Sequence, residues 1–421
     1  MANEDSPPPS SPSSPPTVLC LASYEKGAAF LRQARREGCR VLLLTASALE
    51  GASWPREAID ELVHMPDLAD AQQVILGVSY LARRVHIDRI VPLDDYDVET
   101  AAALREHLRL PGPDSSTARL VRDKLAMRVA ARAHDIVEPD FAPVFNDDEV
   151  AAYVARVPPP WVLKPRSEVS TIGITRLNAA DELWSRLSEL GDLRSFHLLE
   201  RYVPGTVYHV DSLVSAGKVV FCETSQYGRP PLDVYHEGGI STTRLVARGS
   251  DDDMALRAVN RAAIKALRVL HGAVHLECIK GRDDGRFYFL EAANRVGGAN
   301  IADAVEAATG VNLWAEWARM EAAQIPSLRD ARGKGKGYRA PTQRHDYADV
   351  IVSLARQEYP DTAAYDDPEI VTRMEKRHHV GFVVASPDPA RVETLLADYA
   401  RRFADDFSAA LPPQMGRPAH A

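Results

Sequence analysis

Glu277 and Glu291 are the residues whose type and spacing most directly suggest chemistry. Glu277 lies in the apolar run Ala273-Val-His-Leu-Glu-Cys-Ile279, and Glu291 closes Arg286-Phe-Tyr-Phe-Leu-Glu291, which continues into Ala-Ala-Asn-Arg295-Val-Gly-Gly298. Side chains alternate along a strand, so His275 and Glu277 share one face of the first run. By the same rule Glu291, Ala293 and Arg295 share one face of the second. The connection Gly281-Arg-Asp-Asp-Gly285 has the turn formers of a hairpin, which pairs the strands antiparallel and brings the two carboxylates together. Hard divalent cations such as Mg²⁺ or Mn²⁺ take oxygen ligands and bridge carboxylates to nucleotide phosphates, leaving Arg295 to meet an anion. Spacing alone is equally compatible with two glutamates that cap the exposed ends of a hairpin.

Three segments precede the hairpin in order: Arg122-Asp-Lys124, Trp161-Val-Leu-Lys164-Pro165 and Leu199-Glu-Arg-Tyr-Val-Pro-Gly205. Lys164 sits in an apolar strand directly before a proline, where an ammonium has reason to be only if it meets an anion. His197-Leu-Leu-Glu200 reads as a strand stopped by the Pro204-Gly205 turn. This ordered set resembles the ATP-grasp superfamily over nearly the whole chain from Thr17. Within it, Ile90-Val-Pro-Leu-Asp-Asp-Tyr96 and Leu110-Pro-Gly-Pro113 resemble the family's first domain.

The resemblance implies an α/β fold, α+β in the ATP-binding part. It is an ATP-grasp fold with an N-terminal Rossmann-like parallel-sheet domain, a central small α+β domain and a C-terminal ATP-grasp domain. The expected boundaries are a disordered Pro/Ser-rich tail at 1–16, the first domain at 17–115, the ATP-grasp domain at 116–330 with a lid-like part near 130–200, and a C-terminal subdomain at 331–421. ATP and Mg²⁺ or Mn²⁺ are the implied cofactors. Lys124 and Lys164 would reach the phosphates, Glu200 and the backbone of Arg201, Tyr202 and Val203 would line the adenine and ribose pocket, and Asp211 would face the nucleotide. The family's glycine-rich lid is reduced to Arg166-Ser-Glu-Val-Ser-Thr-Ile-Gly173-Ile, in which Ser170 and its neighbours could still offer donors to a phosphate.

The metal strand also departs from the family pattern Glu-x-Asn-x-Arg, because Ala293 stands at the asparagine position. Glu277 and Glu291 remain as ligands, and Asn294 joins them only if a bulge returns it to their face. Arg295, with Lys164 the expected catalytic residue, would hold a substrate carboxylate or acyl phosphate. The candidate substrate residues are His275, Arg295, Gly297 and Gly298, together with Arg229 and His236 around Pro230-Pro-Leu-Asp-Val-Tyr-His-Glu-Gly-Gly239, where Tyr227 is also near. The implied activity is an ADP-forming carboxylate–amine ligase joining small molecules, an amino-acid or dipeptide ligase. A biotin carboxylase-like enzyme using bicarbonate and a non-catalytic ATP sensor, the latter motivated by Ala293, are the alternatives. A dinucleotide-binding dehydrogenase is disfavoured because Ala22-Ser-Tyr-Glu-Lys-Gly27 lacks the glycine triplet, and a serine hydrolase because no Gly-x-Ser-x-Gly elbow occurs.

The elements that must position these residues follow from patterning. Thr17-Val-Leu-Cys-Leu21 and Arg40-Val-Leu-Leu-Leu-Thr45 read as continuously apolar strands of a parallel sheet, separated by a helix near Lys26 to Glu37. Helical periodicity recurs over Ser116–Ala133, Met254–Leu270 and Ile301–Met320, whose Trp314 and Trp317 suit packing. Arg332–Gly337 reads as a surface link, followed later by a strand at Gly381–Ala385 and a helix from Pro389. A chain of 421 residues, 45% hydrophobic and 26% charged, suits a multi-domain globular protein. Its net charge of -9 argues against nucleic acid or an anionic membrane as partner. Four unpaired cysteines read as buried thiols, no segment has the length of a membrane span, and the expected compartment is cytoplasmic. The reading leaves room for a homodimer.

Overall fold

The computed structural model describes residues 14–169, 171–331 and 338–408. Four parallel strands open the chain: β1 (Thr17–Ala22), β2 (Arg40–Ala46), β3 (Glu61–Met65) and β4 (Arg89–Pro92), in the spatial order β3-β2-β1-β4. Their apolar runs are continuous because both faces are covered. Val18, Cys20, Val41 and Leu43 enter one core, and Leu19, Leu21, Leu42 and Leu44 enter another. The order reverses between β1 and β4, so the crevice at their carboxyl ends, where Asp94 and Asp95 lie, is the place where such sheets take ligands.

A small antiparallel sheet follows, built from β5 (Phe141–Pro143), β6 (Trp161–Pro165), β7 (Thr175–Leu177) and β8 (His197–Arg201) in the order β5-β8-β6-β7. Trp161, Leu163 and Leu199 pack on the helices Asp147–Arg156 and Ala180–Leu190. Alternation then sends Val162, Lys164 and Glu200 to the opposite face.

The largest sheet has eight strands: β9 (Gly205–Ser215), β10 (Lys218–Tyr227), β11 (Ser241–Leu245), β12 (His271–Gly281), β13 (Phe287–Ala293), β14 (Tyr347–Leu354), β15 (Ile370–Arg373) and β16 (His379–Ser386). Their order is β13-β12-β9-β10-β11-β14-β16-β15. β12 and β13 form the expected antiparallel hairpin with Glu277 directly opposite Glu291. The C-terminal segment does not stand apart as a subdomain: β14 pairs with β11 and extends this sheet, and the helix Pro389–Asp406 packs on β14 and β16 through Leu395, Tyr399 and Phe403.

Two long helical patterns are interrupted. Ser115–Leu120 and Lys124–Arg132 are separate helices because Asp123 caps the second, its Oδ1 accepting from the amides of Leu125 and Ala126. Ile301–Thr309 and Leu313–Ala323 are separated at Gly310, whose φ of 75° ends the first. Trp317 is buried, edge-on to Phe30. Cys20, Cys39, Cys222 and Cys278 are free and buried. Among the described residues no helix is long and apolar enough to cross a membrane. The tail before residue 14 and the link Arg332–Gly337 lie outside the described residues.

Candidate functional site

Lys164, on the exposed-to-cavity face of β6, places its Nζ 2.6 Å from Oε2 of Glu200 on the neighbouring strand β8. Arg128, four residues after Lys124 on the same helix, reaches the other oxygen of Glu200 at 2.6 Å. All three groups are buried, Arg128 completely. Burial pushes the Lys164 ammonium down to about 8, partly offset by the Glu200 carboxylate. Lys124 begins its helix immediately after the capping Asp123, so its ammonium is aimed outward, 2.9 Å from Glu291 Oε2, and donates to the Glu168 carbonyl at 2.7 Å.

Lys124, Lys164 and Glu291 line one cavity of about 150 Å³ between the small sheet and β9, β12 and β13, together with Glu277 and the segment Glu200 to Val203. Its apolar walls are Val162, Val203, Val207, Ile279 and Leu290. Glu168, Thr171, Ile172 and Ile174 of the β6–β7 connection and Pro230 to Asp233 at the start of the helix Pro231–Glu237 close over it. It is tighter than the ~300–1,000 Å³ usual for small-molecule sites. Entry of a nucleotide-sized molecule would therefore require those two coverings to move. The β6–β7 connection is held at its base by Arg166, which pairs with Asp123 beside Lys124.

Each metal-candidate carboxylate spends one oxygen on the protein. Glu277 Oε1 accepts from the Tyr227 hydroxyl at 3.0 Å and faces His275 Nε2 at 3.4 Å, while Glu291 Oε2 meets Lys124. The other oxygen of each has no partner among the described residues, and both glutamates open on the cavity. Two oxygens from adjacent strands beside two ammonium groups fit a divalent cation carrying nucleotide phosphates. Burial pushes the Glu291 carboxyl up, but the neighbouring Lys124 and Lys164 outweigh it and hold it well below the usual range.

Other expected site residues lie elsewhere. β13 ends at Ala293 and Asn294 lies in the bend that follows: its amide donates to the Ala273 carbonyl at 2.8 Å, and the residue borders a cavity other than the one the two glutamates open on. The irregularity in this hairpin falls earlier, between Glu277 and Cys278. Asp211 does not reach this cavity; its carboxylate is held between His209 Nδ1 at 2.6 Å and His275 Nδ1 at 2.9 Å. Burial pushes the His275 imidazole down, but Asp211 and Glu277 outweigh it and raise it to about 10, so His275 is a cation between two carboxylates. Arg295 is also off the cavity wall, with its Nε donating to Asp95 at the carboxyl end of β4 and Nη1 to the Val296 carbonyl at 2.9 Å. Arg229 donates to the Gly238 carbonyl at 3.0 Å and pairs with Glu237, fastening the covering helix rather than reaching into the cavity. Ser170 and the side chain of His236 lie outside the described residues.

Gly297 is there for space: a Cβ would stand 2.6 Å from Asp211 Oδ1 and 3.0 Å from His275 Nδ1. Both neighbours are locked in hydrogen bonds, so Gly297→Ala is expected to cost about 1–3 kcal/mol of stability, visible as a lower urea midpoint at unchanged m. An unchanged midpoint would show that the strand end yields. Among the described residues beyond its own chain neighbours, none has an atom within 4 Å of a Cβ added at Gly298. Arg128, Asp95 and His209 had not been singled out from the sequence. Arg128 was signalled by its i+4 spacing from Lys124, and His209 by sharing a strand face with Asp211. Asp95, 200 residues from Arg295, had no local signal.

A small sheet closing on a larger antiparallel one over a lysine-and-carboxylate cavity, with a parallel-sheet domain in front, is the ATP-grasp fold, and this chain has it. Solved structures with the same architecture include an L-amino acid ligase from Bacillus licheniformis, with TM-score 0.69, 16% identity and coverage of 96% of this chain and 100% of that one. A carboxyaminoimidazole ribonucleotide synthase from Aspergillus clavatus complexed with ATP has TM-score 0.68 and 16% identity, covering 92% of this chain and 99% of that one. No family model matches the sequence. An L-arginine-specific L-amino acid ligase of Bacillus subtilis is 24% identical over 247 residues, 57% of this chain and 59% of that protein. A D-alanine–D-alanine ligase of Cupriavidus metallidurans is 25% identical over 198 residues, 46% of this chain and 60% of that protein. The match thus spans about three fifths of the length of these relatives.

Proposed function

We propose that the protein is an ATP-dependent, ADP-forming carboxylate–amine ligase, with L-amino acids as the substrates its similarity to amino-acid ligases favours. The observation that carries this reading is the convergence of Lys124, Lys164, Glu277 and Glu291 on one cavity bounded by an apolar slot and two covering segments. Lys124 and Lys164 neutralise phosphate charge as point cations, and the Glu200–Val203 segment receives the base and ribose. Glu277 and Glu291 would hold Mg²⁺ or Mn²⁺, which supplies charge stabilisation for phosphoryl transfer when bound.

In the first step a carboxylate oxygen of the acid bonds to the γ-phosphorus, the bridging P–O bond breaks, and ADP leaves. In the second the amine nitrogen bonds to the acyl carbon, the C–O bond to phosphate breaks, and inorganic phosphate and one proton depart. Arg295, its guanidinium held by Asp95 at the carboxyl end of β4, would orient the acid and its acyl phosphate. The coverings formed by Glu168, Thr171, Ile172 and Ile174 and by Pro230 to Asp233 would keep water from that intermediate.

The test is ADP and phosphate release with Mg²⁺-ATP against L-amino acids supplied singly and in pairs, with mass detection of products. L-arginine is included because a relative is specific for it. Release that requires amino acids and gives a product of their summed mass less water is the expected result. Release driven by bicarbonate, or ATP binding without turnover across the matrix, would overturn the amino-acid ligase reading.

A further inference from the structure

Register places a row of polar groups on one face of the large sheet. Glu291 is opposite Glu277, Glu277 is opposite His209, and in the next row His275 is opposite Asp211. Tyr227 on β10 is opposite Thr243 on β11. Side chains from these rows join into one chain of contacts. Thr243 Oγ1 is 2.6 Å from His209 Nε2, His209 Nδ1 is 2.6 Å from Asp211 Oδ2, Asp211 Oδ1 is 2.9 Å from His275 Nδ1, and His275 Nε2 is 3.4 Å from Glu277 Oε1. The Tyr227 ring lies 4.7 Å from that of His209, and its hydroxyl donates to the same Glu277 oxygen at 3.0 Å. Thr243, His209, Asp211 and His275 are all buried, His209 completely.

We propose that His209 is a positioning residue for the divalent cation: through Asp211 and His275, and by packing on Tyr227, it fixes Glu277 Oε1 and so turns Oε2 toward the cation. This rests on the reading of Glu277 and Glu291 as cation ligands. The alternative use of His209, Asp211 and His275, whose ligand atoms lie within 4.8 Å of one another, is a metal site of their own. Their hydrogen bonds speak against it, since both Nδ1 atoms face the two oxygens of Asp211 and the outer nitrogens face Thr243 and Glu277. Groups that orient a ligating carboxylate typically change metal affinity 10–100-fold, which is the scale expected here.

The experiment is Mn²⁺ binding to the full chain with ADP present, followed by the electron paramagnetic resonance signal of free Mn²⁺. His209→Leu is expected to weaken Mn²⁺ about 10–100-fold. His209→Asn, which keeps a donor where Nδ1 stands, is expected to recover most of the loss. Tyr227→Phe, which removes the second donor to Glu277 and leaves the strand core intact, is expected to weaken Mn²⁺ as well and carries the test if His209→Leu does not fold. Glu277→Gln serves as the control. If it weakens Mn²⁺ while His209→Leu, or Tyr227→Phe in its place, does not, the positioning role is overturned and the cation reading stands. If Glu277→Gln has no effect, the cation reading itself falls. A tightly bound zinc or second Mn²⁺ lost in His209→Leu would make the cluster a metal site and overturn the proposal.

Discussion

Glu291→Gln is expected to lower turnover on the order of 10²–10³-fold with little change in stability. The carboxylate is only partly covered, at 35% side-chain exposure, and its oxygen on Lys124 is replaced by an amide oxygen of the same shape, so the strand end keeps its contacts. What is lost is the negative charge that, with Glu277, would hold the cation against the phosphates. The sign of a second effect separates this from a packing defect. Without divalent cation, Glu291 would repel the triphosphate while it occupies Lys124, so Glu291→Gln is expected to bind metal-free ATP as tightly as the unaltered protein or more so. Equilibrium ATP binding with and without Mg²⁺, alongside steady-state ADP release, reads both effects. Near-normal turnover would remove Glu291 from the site, and equal loss of ATP binding with and without Mg²⁺ would assign it a purely structural role.

Local patterning made the parts of this site legible where chemistry and element coincide. The Glu277 and Glu291 hairpin followed from alternation plus a glycine-flanked turn, and the two strands pair antiparallel with Glu277 opposite Glu291. Lys164 stood out because an ammonium in an apolar strand needs a partner, and the structure supplies Glu200 from the adjacent strand. Alternation also pointed Asn294 away from the two glutamates unless a bulge returned it, and past the end of β13 it borders a different cavity. The contacts that cross domains were not legible. Nothing near Arg295 in sequence points to Asp95, and nothing near Asp211 says that its carboxylate is spent on two imidazoles rather than turned to a nucleotide. Periodicity also ran through the breaks at Asp123 and Gly310, because capping and positive φ act at single residues inside an otherwise helical pattern. The joining of β14 to β11 is a long-range pairing that no local pattern encodes.

Lys164 carries the second large effect, and its burial makes that effect depend on pH. Lys164→Ala is expected to reduce turnover by orders of magnitude while the fold survives, because Glu200 keeps its ion pair with Arg128. In the unliganded protein burial holds the Lys164 ammonium down to about 8. The charged form that would meet phosphate is therefore lost as pH rises through about 8, and kcat/KM for ATP is expected to fall about tenfold per pH unit beyond it. Bound phosphates favour the ammonium, so the corresponding limb in kcat lies higher. Lys164→Arg, whose guanidinium stays protonated, is expected to abolish the limb at reduced overall activity. The linkage to stability has the opposite sign. Between about 8 and the ordinary lysine value near ~10.4 the unfolded chain holds the extra proton, so the contribution of this group to stability rises with pH across that window. The unfolding free energy of the unaltered protein relative to Lys164→Met should accordingly improve from pH 7 to pH 10 while kcat/KM falls. A flat kcat/KM profile through that window, or a decline matched by unfolding, would show that Lys164 does not meet ATP as a titrating cation.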